Sequence, residues 1–369
     1  SAASDVYKRQ VLGVNGRAPA KLNLPDSRGL IPGIVNSDDF NRKKGECALP
    51  LVWQWNHNPD NSLWSLSARK GYMRLTTGRI ETSFTQAKNM LTQRTIGPVC
   101  TGSISLDVSG MKEGDFAGLS LFQRKYGQVG VKVTDGRKYI VMVNGGYEKP
   151  MEVEKVPLDQ SVVYFKAECD FRNRVDKGYF YYSLDGNHWK VIGNVLNMEY
   201  TLPHFMGYRF ALFNYATKET GGYADFDYFK IEDRISDCRR ADISYADDKL
   251  EGHKLDIYLP DTGKPSYKVV VLIYGSAWFA NNMKQAAFQA LGKPLLDKGF
   301  AVVSINHRSS GDAKFPAQIN DVKAAIRFIR ANAAKYKLDT SFIGITGFSS
   351  GGHLASLAGT CLLYTSDAA

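Results

Sequence analysis

The sequence predicts two folded units, an all-β sandwich or jelly roll followed by an α/β unit with a mainly parallel sheet. Residues 37–236 contain short alternating strands separated by turn signals, with no convincing helix. Many short strands at this spacing are typical of a two-sheet sandwich. In residues 237–360, β-branched runs alternate with helical patterns, which predicts right-handed crossovers and a parallel sheet.

Turn signals delimit the strands of the first unit. Asp135-Gly136 and Asp185-Gly186 lie between alternating runs, and Asp-Gly is a strong hairpin signal. The predicted strands are Ser103–Val108, Gly118–Gln123, Gly127–Val133, Tyr139–Val143, Val162–Asp170, Gly178–Ser183 and Trp189–Ile192.

The second unit begins with a run suited to a central strand. Lys268–Ile273 is apolar and mostly β-branched, as expected for a strand that is buried on both faces. We expect Phe342–Thr346 to lie beside it and to leave its own other side unpaired. The remaining predicted elements are a helix at Gln285–Lys298, a strand at Ala301–Ile305, a helix at Asn320–Lys335 and a helix from Ser350 to about Gly359.

Ser349 lies between the second of these strands and the last helix, and glycines flank it at Gly347 and Gly351. A strand that turns directly into a helix forces its middle residue into strained backbone geometry, and side chains two positions away would crowd the turn. The pattern therefore predicts a nucleophile elbow. The Ser349 hydroxyl would be exposed, and the backbone N–H of Ser350 would point to where an oxyanion forms.

Four ordered motifs lie in residues 241–360. They are L-D-I-Y-L-P at 255–260, N-H-R at 306–308, F-P-A-Q-I-N-D-V-K-A-A-I-R at 315–327 and G-F-S-S-G-G-H-L-A at 347–355. Together they resemble the N-terminal half of carbohydrate-active α/β-hydrolase esterases, the bacterial feruloyl and acetyl-xylan esterase relatives. The resemblance implies a truncated α/β-hydrolase with Ser349 as the nucleophile of a serine ester hydrolase. It leaves both acetyl and feruloyl esters of xylan open as substrates.

The oxyanion loop departs from the family pattern. The family commonly has His-Gly-Gly-Gly-Trp, whereas this chain has Tyr-Gly-Ser-Ala-Trp at 274–278. The resemblance implies that a backbone N–H of Ser276 or Ala277 completes the oxyanion hole beside that of Ser350. Ser276 and Ala277 are expected to need ordinary φ/ψ angles where glycines are usual. Trp278 is a candidate substrate contact.

Polar residues after the next strand have structural interpretations. Arg308 is expected to brace the elbow or to bind Asp321. Gln318 and Asp321 are expected to cap the helix that begins near them.

A serine nucleophile needs a histidine to accept its proton and a carboxylate to hold that histidine. After Ser349, His353 and Asp367 are the only residues of these types, and His353, one helical turn on, is expected to point away from the hydroxyl. We expect the triad to be completed by sequence that this chain lacks, and the chain alone to be inactive. Residues 1–10 and 361–369 resemble translated adapter sequence and are interpreted as non-native tails of a fragment.

Four further motifs lie in residues 37–236. They are W-Q-W-N-H-N-P-D at 53–60, L-T-Q-R-T-I-G-P at 91–98, Y-Y-S-L-D-G-N-H-W at 181–189 and A-D-F-D-Y-F at 224–229. With these motifs, residues 37–236 resemble the concanavalin A-like C-terminal domain of glycoside hydrolase family 43 β-xylosidases and arabinofuranosidases. In that family the sandwich follows a five-bladed propeller that carries the glycosidase carboxylates. The resemblance implies a lost N-terminal propeller, a linker at residues 11–36, a xylan or arabinoxylan substrate, and a secreted or periplasmic bacterial protein.

Trp53, Trp55 and Trp64 are candidate sugar contacts, because an aromatic ring matches the apolar face of a sugar. Tryptophans at positions i and i+2 point to one face and more often fill the core of a sandwich. We prefer the core interpretation and keep Trp53 and Trp55 as candidate substrate contacts.

Four carboxylates come from the expected first and last strands of the sandwich, Asp38 and Asp39 with Asp225 and Asp227. These strands are expected to be neighbours, so a structural Ca²⁺ with Asp39 and Asp227 among its ligands would fit oxygen-ligand chemistry. Solvated edge charges are the preferred interpretation. The predicted ester chemistry requires no cofactor.

The net charge of +10 comes from Lys and Arg residues that are dispersed along the chain, which favours a basic solvated surface over a nucleic-acid partner. The sequence contains no run of the length and apolarity that a transmembrane helix needs, so no membrane partner is expected. Two other functions stay open. One is a non-catalytic carbohydrate-binding or domain-bracing module, and the other is a peptidase of the α/β-hydrolase superfamily.

Overall fold

The computed structural model describes residues 34–43, 48–202, 206–236 and 238–360. The expectations for the tails at 1–10 and 361–369, and for the linker up to residue 33, lie outside these residues. The strands of the first module are β1 (Gln54–Trp55), β2 (Trp64–Ser65), β3 (Met73–Thr76), β4 (Leu91–Arg94), β5 (Val99–Asp107), β6 (Asp115–Phe122), β7 (Gly127–Thr134), β8 (Arg137–Asn144), β9 (Met151–Pro157), β10 (Val162–Asp170), β11 (Lys177–Ser183), β12 (Lys190–Val191), β13 (Leu196–Asn197), β14 (Arg209–Ala216) and β15 (Tyr223–Glu232).

These strands form the two sheets of a sandwich, in agreement with the predicted fold class. In the described part of the chain, one sheet has the order β1-β4-β14-β6-β7-β8-β9. The other has the order β12-β11-β10-β5-β15-β3-β2, with β13 beside β11. Neighbouring strands pair in antiparallel fashion in both sheets. Short 3₁₀ turns connect some of them, at Asn61–Leu63, Phe84–Gln86 and Arg172–Arg174.

The hairpin between β7 and β8 shows how local sequence sets the strand register. Thr134 pairs with Arg137, so Asp135 and Gly136 form a two-residue turn, with φ angles of 53° and 70°. A type I′ turn needs positive φ at both central residues, and Asp-Gly supplies them at low cost. The predicted hairpin is therefore confirmed, and its turn residues fix which side chains face the core.

The second module is built on a five-stranded sheet with the order β16-β17-β19-β18-β20 in the described residues. The strands β18, β19 and β20 are parallel, whereas β16 and β17 pair in antiparallel fashion. The sheet is thus mixed rather than mainly parallel. Its strands are β16 (Arg239–Ser244), β17 (Lys254–Tyr258), β18 (Tyr267–Ile273), β19 (Ala301–Ile305) and β20 (Leu338–Gly347), with a 3₁₀ turn at Glu251–His253 before β17.

The helices differ from their predicted bounds at the ends. The first predicted helix is α1 (Lys284–Ala287) and α2 (Lys293–Asp297), joined by a π-helical turn at Phe288–Gly292. The second is α3 (Ala317–Ala331) and the last is α4 (Ser350–Thr360). Among the described residues, none of these helices has the length and apolar character needed to cross a membrane.

One face of the mixed sheet packs against α3 and α4, and part of its other face packs against the sandwich. The second contact is a single apolar cluster that joins residues of both modules. From the sandwich come Tyr179, Tyr181, Val191 and Val195, and from the second module come Tyr258, Val270, Leu272, Phe288 and Val302. The sandwich therefore supplies part of the hydrophobic core of its neighbour.

Charged groups are buried beside this cluster. The Arg239 guanidinium is 1% exposed and lies 5.6 Å from the centre of the Tyr179 ring and 5.1 Å from that of Tyr258. Lys177 of β11 and Lys284 of α1 each place an ammonium group 2.6 Å from a carboxylate oxygen of Asp242. Burial raises the pKa of Asp242, but the two ammonium groups outweigh burial and hold this pKa well below its usual range.

We expect Asp242→Asn to lower the free energy of unfolding by about 3 kcal/mol at neutral pH, because Lys177 loses its counter-charge and Lys284 keeps only Asp256, 3.5 Å away. The native pKa of Asp242 lies below the unfolded value of about 3.9. Its contribution is therefore fully present above that value and is lost as pH falls toward the native pKa. The difference between wild type and variant in urea unfolding should stay constant above about pH 5 and shrink progressively as pH falls below about 4.

Asp247→Asn is the matched control. Asp247 is exposed and, like Asp242, has a positive φ, at 50° against 56°, which Asn tolerates as well as Asp does. The control should unfold as wild type does. An equal loss of stability in both variants would contradict the role assigned to the buried charges.

Candidate active site

Ser349 occupies a strained turn between β20 and α4. Strand β20 ends at Gly347 and α4 begins at Ser350, so both predictions for these elements are confirmed. Ser349 has a φ of 53°, a region that non-glycine residues rarely adopt. Such strain persists only where the surrounding structure enforces it, and it clusters at functional sites.

Close packing enforces the turn. A Cβ atom added to Gly351 would lie 2.3 Å from the Ile273 carbonyl oxygen and 2.4 Å from that of Tyr274. A Cβ atom added to Gly347 would lie 2.5 Å from the same Ile273 oxygen. Both flanking glycines are therefore required because β18 passes directly beneath the turn.

The oxyanion loop at 274–278 lies against the turn, as the sequence predicts. A Cβ atom added to Gly275 would lie 2.8 Å from the Ser349 Cβ atom. The backbone N–H of Ser276 donates to the Ser350 hydroxyl oxygen at 3.0 Å. Among the described residues, the backbone N–H groups of Ala277 and Ser350 have no hydrogen-bond acceptor. Of the two predicted loop donors, the geometry thus favours Ala277, since Ser276 is already engaged.

The expectation of ordinary backbone angles in this loop is wrong. Ala277 has a φ of 47° and Trp278 a φ of 64°, so the chain adopts the left-handed conformation that glycines would supply in the family pattern. A buried tyrosine holds the loop in this shape. The Tyr274 hydroxyl lies 3.0 Å from the Ala280 carbonyl oxygen and 3.1 Å from that of His307, and its ring stacks on His307 with centroids 4.6 Å apart.

The described residues place no histidine side chain in hydrogen-bond contact with the Ser349 hydroxyl. The His353 backbone N–H donates to the Ser349 carbonyl oxygen at 3.0 Å. Its ring packs edge-on against Trp278, with centroids 5.6 Å apart. His353 is therefore part of the wall beside the turn and does not serve as a base for Ser349 in this geometry.

An apolar cavity of about 440 Å³ opens next to the loop. Trp278 is 36% exposed and Phe279 is 82% exposed, so both present apolar surface to it. The volume falls in the range of small-molecule sites. Trp278 remains a candidate substrate contact on this geometry. Other lining residues are Ala277, Phe315, His353 and Leu354.

A charged network braces the loop after β19, and it corrects the expected helix caps. Arg308 pairs with Asp321 at 2.6 Å, which is one of its two predicted roles, and His253 lies 3.2 Å from the same carboxylate. Gln318 donates to the carbonyl oxygens of Ser309 and Ala313. Gln318 and Asp321 thus fix the preceding loop and do not cap α3. The contact of His253 with Asp321 was not predicted, because His253 comes from a distant segment of the chain.

The structure corrects the candidate role of Trp53 in the sandwich. Its side chain is in the core, where its ring packs against Phe40 and Phe229 and its indole N–H donates to Asp38 at 3.0 Å. Trp55 and Trp64 are half-buried and contact each other, with ring centroids 5.3 Å apart. The preferred core interpretation therefore holds for Trp53, which has no free face for a sugar.

The acidic residues of the sandwich edge are neighbours but are neutralised by arginines. Asp38 bridges to Phe229 across the expected strand contact, and its carboxylate pairs with Arg42 at 2.7 Å. Asp225 pairs with Arg74 at 2.7 Å. Within the described residues, no group of three or more His, Cys, Asp or Glu side chains could hold a metal ion. The calcium hypothesis for Asp39 and Asp227 is therefore not supported, since the neighbouring carboxylates of Asp38 and Asp225 already pair with arginines.

The arrangement of strand, strained serine, helix and adjacent loop defines the second module as an α/β-hydrolase-like module, here joined to a β-sandwich. A family model described as "Beta xylosidase C-terminal Concanavalin A-like domain" matches residues 37–232, just over half of the chain, and the chain belongs to this family. The BD-FAE family model matches residues 255–364. Both resemblances seen in the sequence are confirmed.

Known relatives divide along the same boundary. A beta-xylosidase of Formosa agariphila is 30% identical over 220 residues, which cover 53% of this chain and 34% of that protein. The esterase LipQ of Mycobacterium tuberculosis is 39% identical over 123 residues, which cover 33% of this chain and 29% of that protein. The chain thus spans about a third of the length of these relatives, and their esterase and glycoside hydrolase classes support a hydrolase.

A solved structure described as a bifunctional GH43-CE of Bacteroides eggerthii is similar to the whole described arrangement. It is 90% identical, with a TM-score of 0.90, and the match covers 94% of this chain and 45% of that chain. The sandwich and the hydrolase-like module therefore occur together in a longer protein.

We expect Gly351→Ala to destabilise the chain by about 2 kcal/mol, because the new methyl group would overlap two carbonyl oxygens of β18 and its following residue. Gly359→Ala in the same helix is the control, since a Cβ atom there meets nothing within 4 Å. Alanine favours the helix over glycine by up to about 1 kcal/mol. In thermal unfolding followed by circular dichroism, the midpoint temperature should fall for Gly351→Ala and rise slightly for Gly359→Ala. Equal midpoints would show that the turn is not tightly packed.

Proposed function

We propose that this chain is part of a modular hemicellulose-degrading hydrolase, in which the second module is a serine carbohydrate esterase acting on acetyl or feruloyl esters of xylan. The observation that carries the proposal is Ser349 at a φ of 53°, beside a loop that leaves the N–H groups of Ala277 and Ser350 without acceptors in the described residues. The BD-FAE match and the esterase relatives support the same chemistry.

In the proposed reaction, the Ser349 oxygen attacks the carbonyl carbon of the ester while a histidine takes the hydroxyl proton. The charge that develops on the carbonyl oxygen is held by the N–H groups of Ser350 and Ala277. The bond to the sugar oxygen breaks, and the sugar hydroxyl leaves with the proton from the histidine. Water then hydrolyses the acyl-serine ester by the same proton transfers.

We infer that the histidine and its carboxylate come from residues outside the described part of the chain, since no described histidine contacts the Ser349 hydroxyl. The sandwich is proposed to brace the esterase and to follow a glycosidase propeller in the longer protein. A secreted or periplasmic location fits a polysaccharide substrate that cannot enter the cell.

We expect this chain to hydrolyse 4-nitrophenyl acetate at a near-background rate, because a serine without a base gains only weak acceleration from its oxyanion hole. The similar Bacteroides eggerthii bifunctional protein supplies the longer context for comparison. There, replacing the residue that corresponds to Ser349 by alanine should lower kcat by roughly 10⁴-fold or more.

The matched control in the longer protein replaces the residue that corresponds to Ser356 by alanine, since the Ser356 hydroxyl is exposed on the same helix and donates to the Gly352 carbonyl oxygen at 3.0 Å. Activity should be unchanged in that variant. Fast turnover by the present chain that Ser349→Ala abolishes would overturn the assignment of the base. Full activity of the longer protein without the serine would overturn the assignment of the nucleophile.

A further inference from the structure

A second cavity, of about 350 Å³, lies where the sandwich meets the hydrolase-like module. Its walls share no residue with the turn at Ser349 or with the oxyanion loop. Strands β9, β11 and β12 supply one side, and the chain after β17 together with α2 supplies the other. The volume is at the lower end of the range for small-molecule sites, so the cavity can hold one or two sugar rings.

Two aromatic residues in this cavity have polar atoms without a protein partner. Trp189 is half-buried, and its indole N–H makes no hydrogen bond with the described residues. Tyr182 is 8% exposed, and its hydroxyl likewise has no partner there. Buried Tyr hydroxyls and Trp N–H groups usually find a partner. The cavity thus offers the Trp189 ring, over which the Lys166 ammonium also lies at 4.8 Å, and a free indole N–H beside the free Tyr182 hydroxyl.

Two carboxylates on the opposite wall are also unused. Asp261 and Asp297 have no hydrogen bond or ion pair with the described residues, whereas Glu154 in the same cavity is engaged by Lys293 and by the Gly193 N–H. Asp297 is the last residue of α2, where the helix dipole disfavours a negative charge. The structure therefore shows no contact through which the Asp297 carboxylate stabilises the fold.

The charges of the cavity select the kind of ligand. Glu154 and Lys293 neutralise each other, and His188 pairs with Asp185 beside the cavity. These pairs leave Asp261 and Asp297 against Lys190. The remaining balance is weakly acidic and disfavours an anionic sugar such as a uronic acid. Free carboxylates accept hydrogen bonds from hydroxyl groups, and an aromatic ring packs on the apolar face of a sugar. These features fit a neutral polyhydroxylated ring.

We propose that this cavity binds one or two neutral pentose units of a xylan chain, separately from the esterase site. The sugar ring lies against Trp189, and its hydroxyls donate to Asp261 and Asp297. The proposal rests on the proposed hemicellulose substrate of the longer enzyme. Because the walls come from both modules, bound polysaccharide is held at the joint between them and stays close to the ester-cleaving centre.

The test is isothermal titration calorimetry of this chain with xylotetraose, on wild type, Trp189→Ala and Asp297→Asn. Each variant should bind roughly tenfold more weakly, which corresponds to the loss of one aromatic contact or one strong hydrogen bond. Asp297 is exposed, so its replacement leaves folding intact and keeps the test valid if Trp189→Ala unfolds. Wild-type affinity in Asp297→Asn, or no binding by wild type, would overturn the proposal.

Tyr228→Ala is the matched control, because Tyr228 is a half-buried aromatic residue of β15, a strand of the same module that supplies no wall of the cavity. Its affinity should equal that of wild type, and a loss as large as that of Trp189→Ala would place the sugar elsewhere. Tetragalacturonate should bind more weakly than xylotetraose, and equal binding would refute a neutral-sugar site. Ser349→Ala should bind xylotetraose as wild type does. This result distinguishes the two assignments, because the sugar site is tested by binding and the esterase is tested by hydrolysis.

Discussion

The burial of Arg239 between Tyr179 and Tyr258 is the constraint on which the two-module arrangement depends. This arginine begins β16, immediately after the chain leaves the sandwich, and it has almost no contact with solvent. A buried guanidinium is costly unless the surrounding groups are arranged for it. Here it lies over two aromatic rings, with Asp256 nearby. Its Nε and Nη1 atoms have no hydrogen-bond partner among the described residues, so the ring contacts and the nearby carboxylate are what offset its burial. One of the two rings comes from each module, which ties the position of the first strand of the second sheet to the sandwich.

The same contact reaches the reactive serine through one strand. Val270 and Leu272 of β18 point into the shared cluster, while Val269, Val271 and Ile273 point into the core beneath α3 and α4. The Ile273 carbonyl oxygen then lies directly under the turn that holds Ser349. Interiors are close-packed and transmit small displacements. The geometry of the serine is thus set by a strand whose opposite face is covered by the sandwich.

Much of this fold could be predicted from the sequence, because the relevant signals are local. Lys268–Ile273, the Asp135-Gly136 turn and the glycines around Ser349 each dictate a conformation through their own residue types. The predicted helix ends were less accurate, since α3 begins after Pro316 and ends at Ala331, where backbone chemistry rather than hydrophobic pattern decides.

Other features depend on contacts that no local pattern encodes. Strand β11 has tyrosines on both of its faces. This pattern indicates that both faces are buried, but it does not identify the elements that cover them. A second partner of Asp321, beside the predicted Arg308, is His253, which is 68 residues away. The left-handed angles of Ala277 and Trp278 are imposed by Tyr274 and by the neighbouring turn. In each case a distant element overrides the residue's own preference.

The shared cluster also bears on how such enzymes can be recombined. A crossover placed in the short connection after β15 would pair the tyrosine face of one sandwich with the sheet of an unrelated hydrolase. The new partner would have to match ring positions, accommodate a buried arginine and complete the lysine pair around Asp242. Exchange of the two modules as one block preserves all of these contacts, so the joined pair is the unit to move in protein engineering.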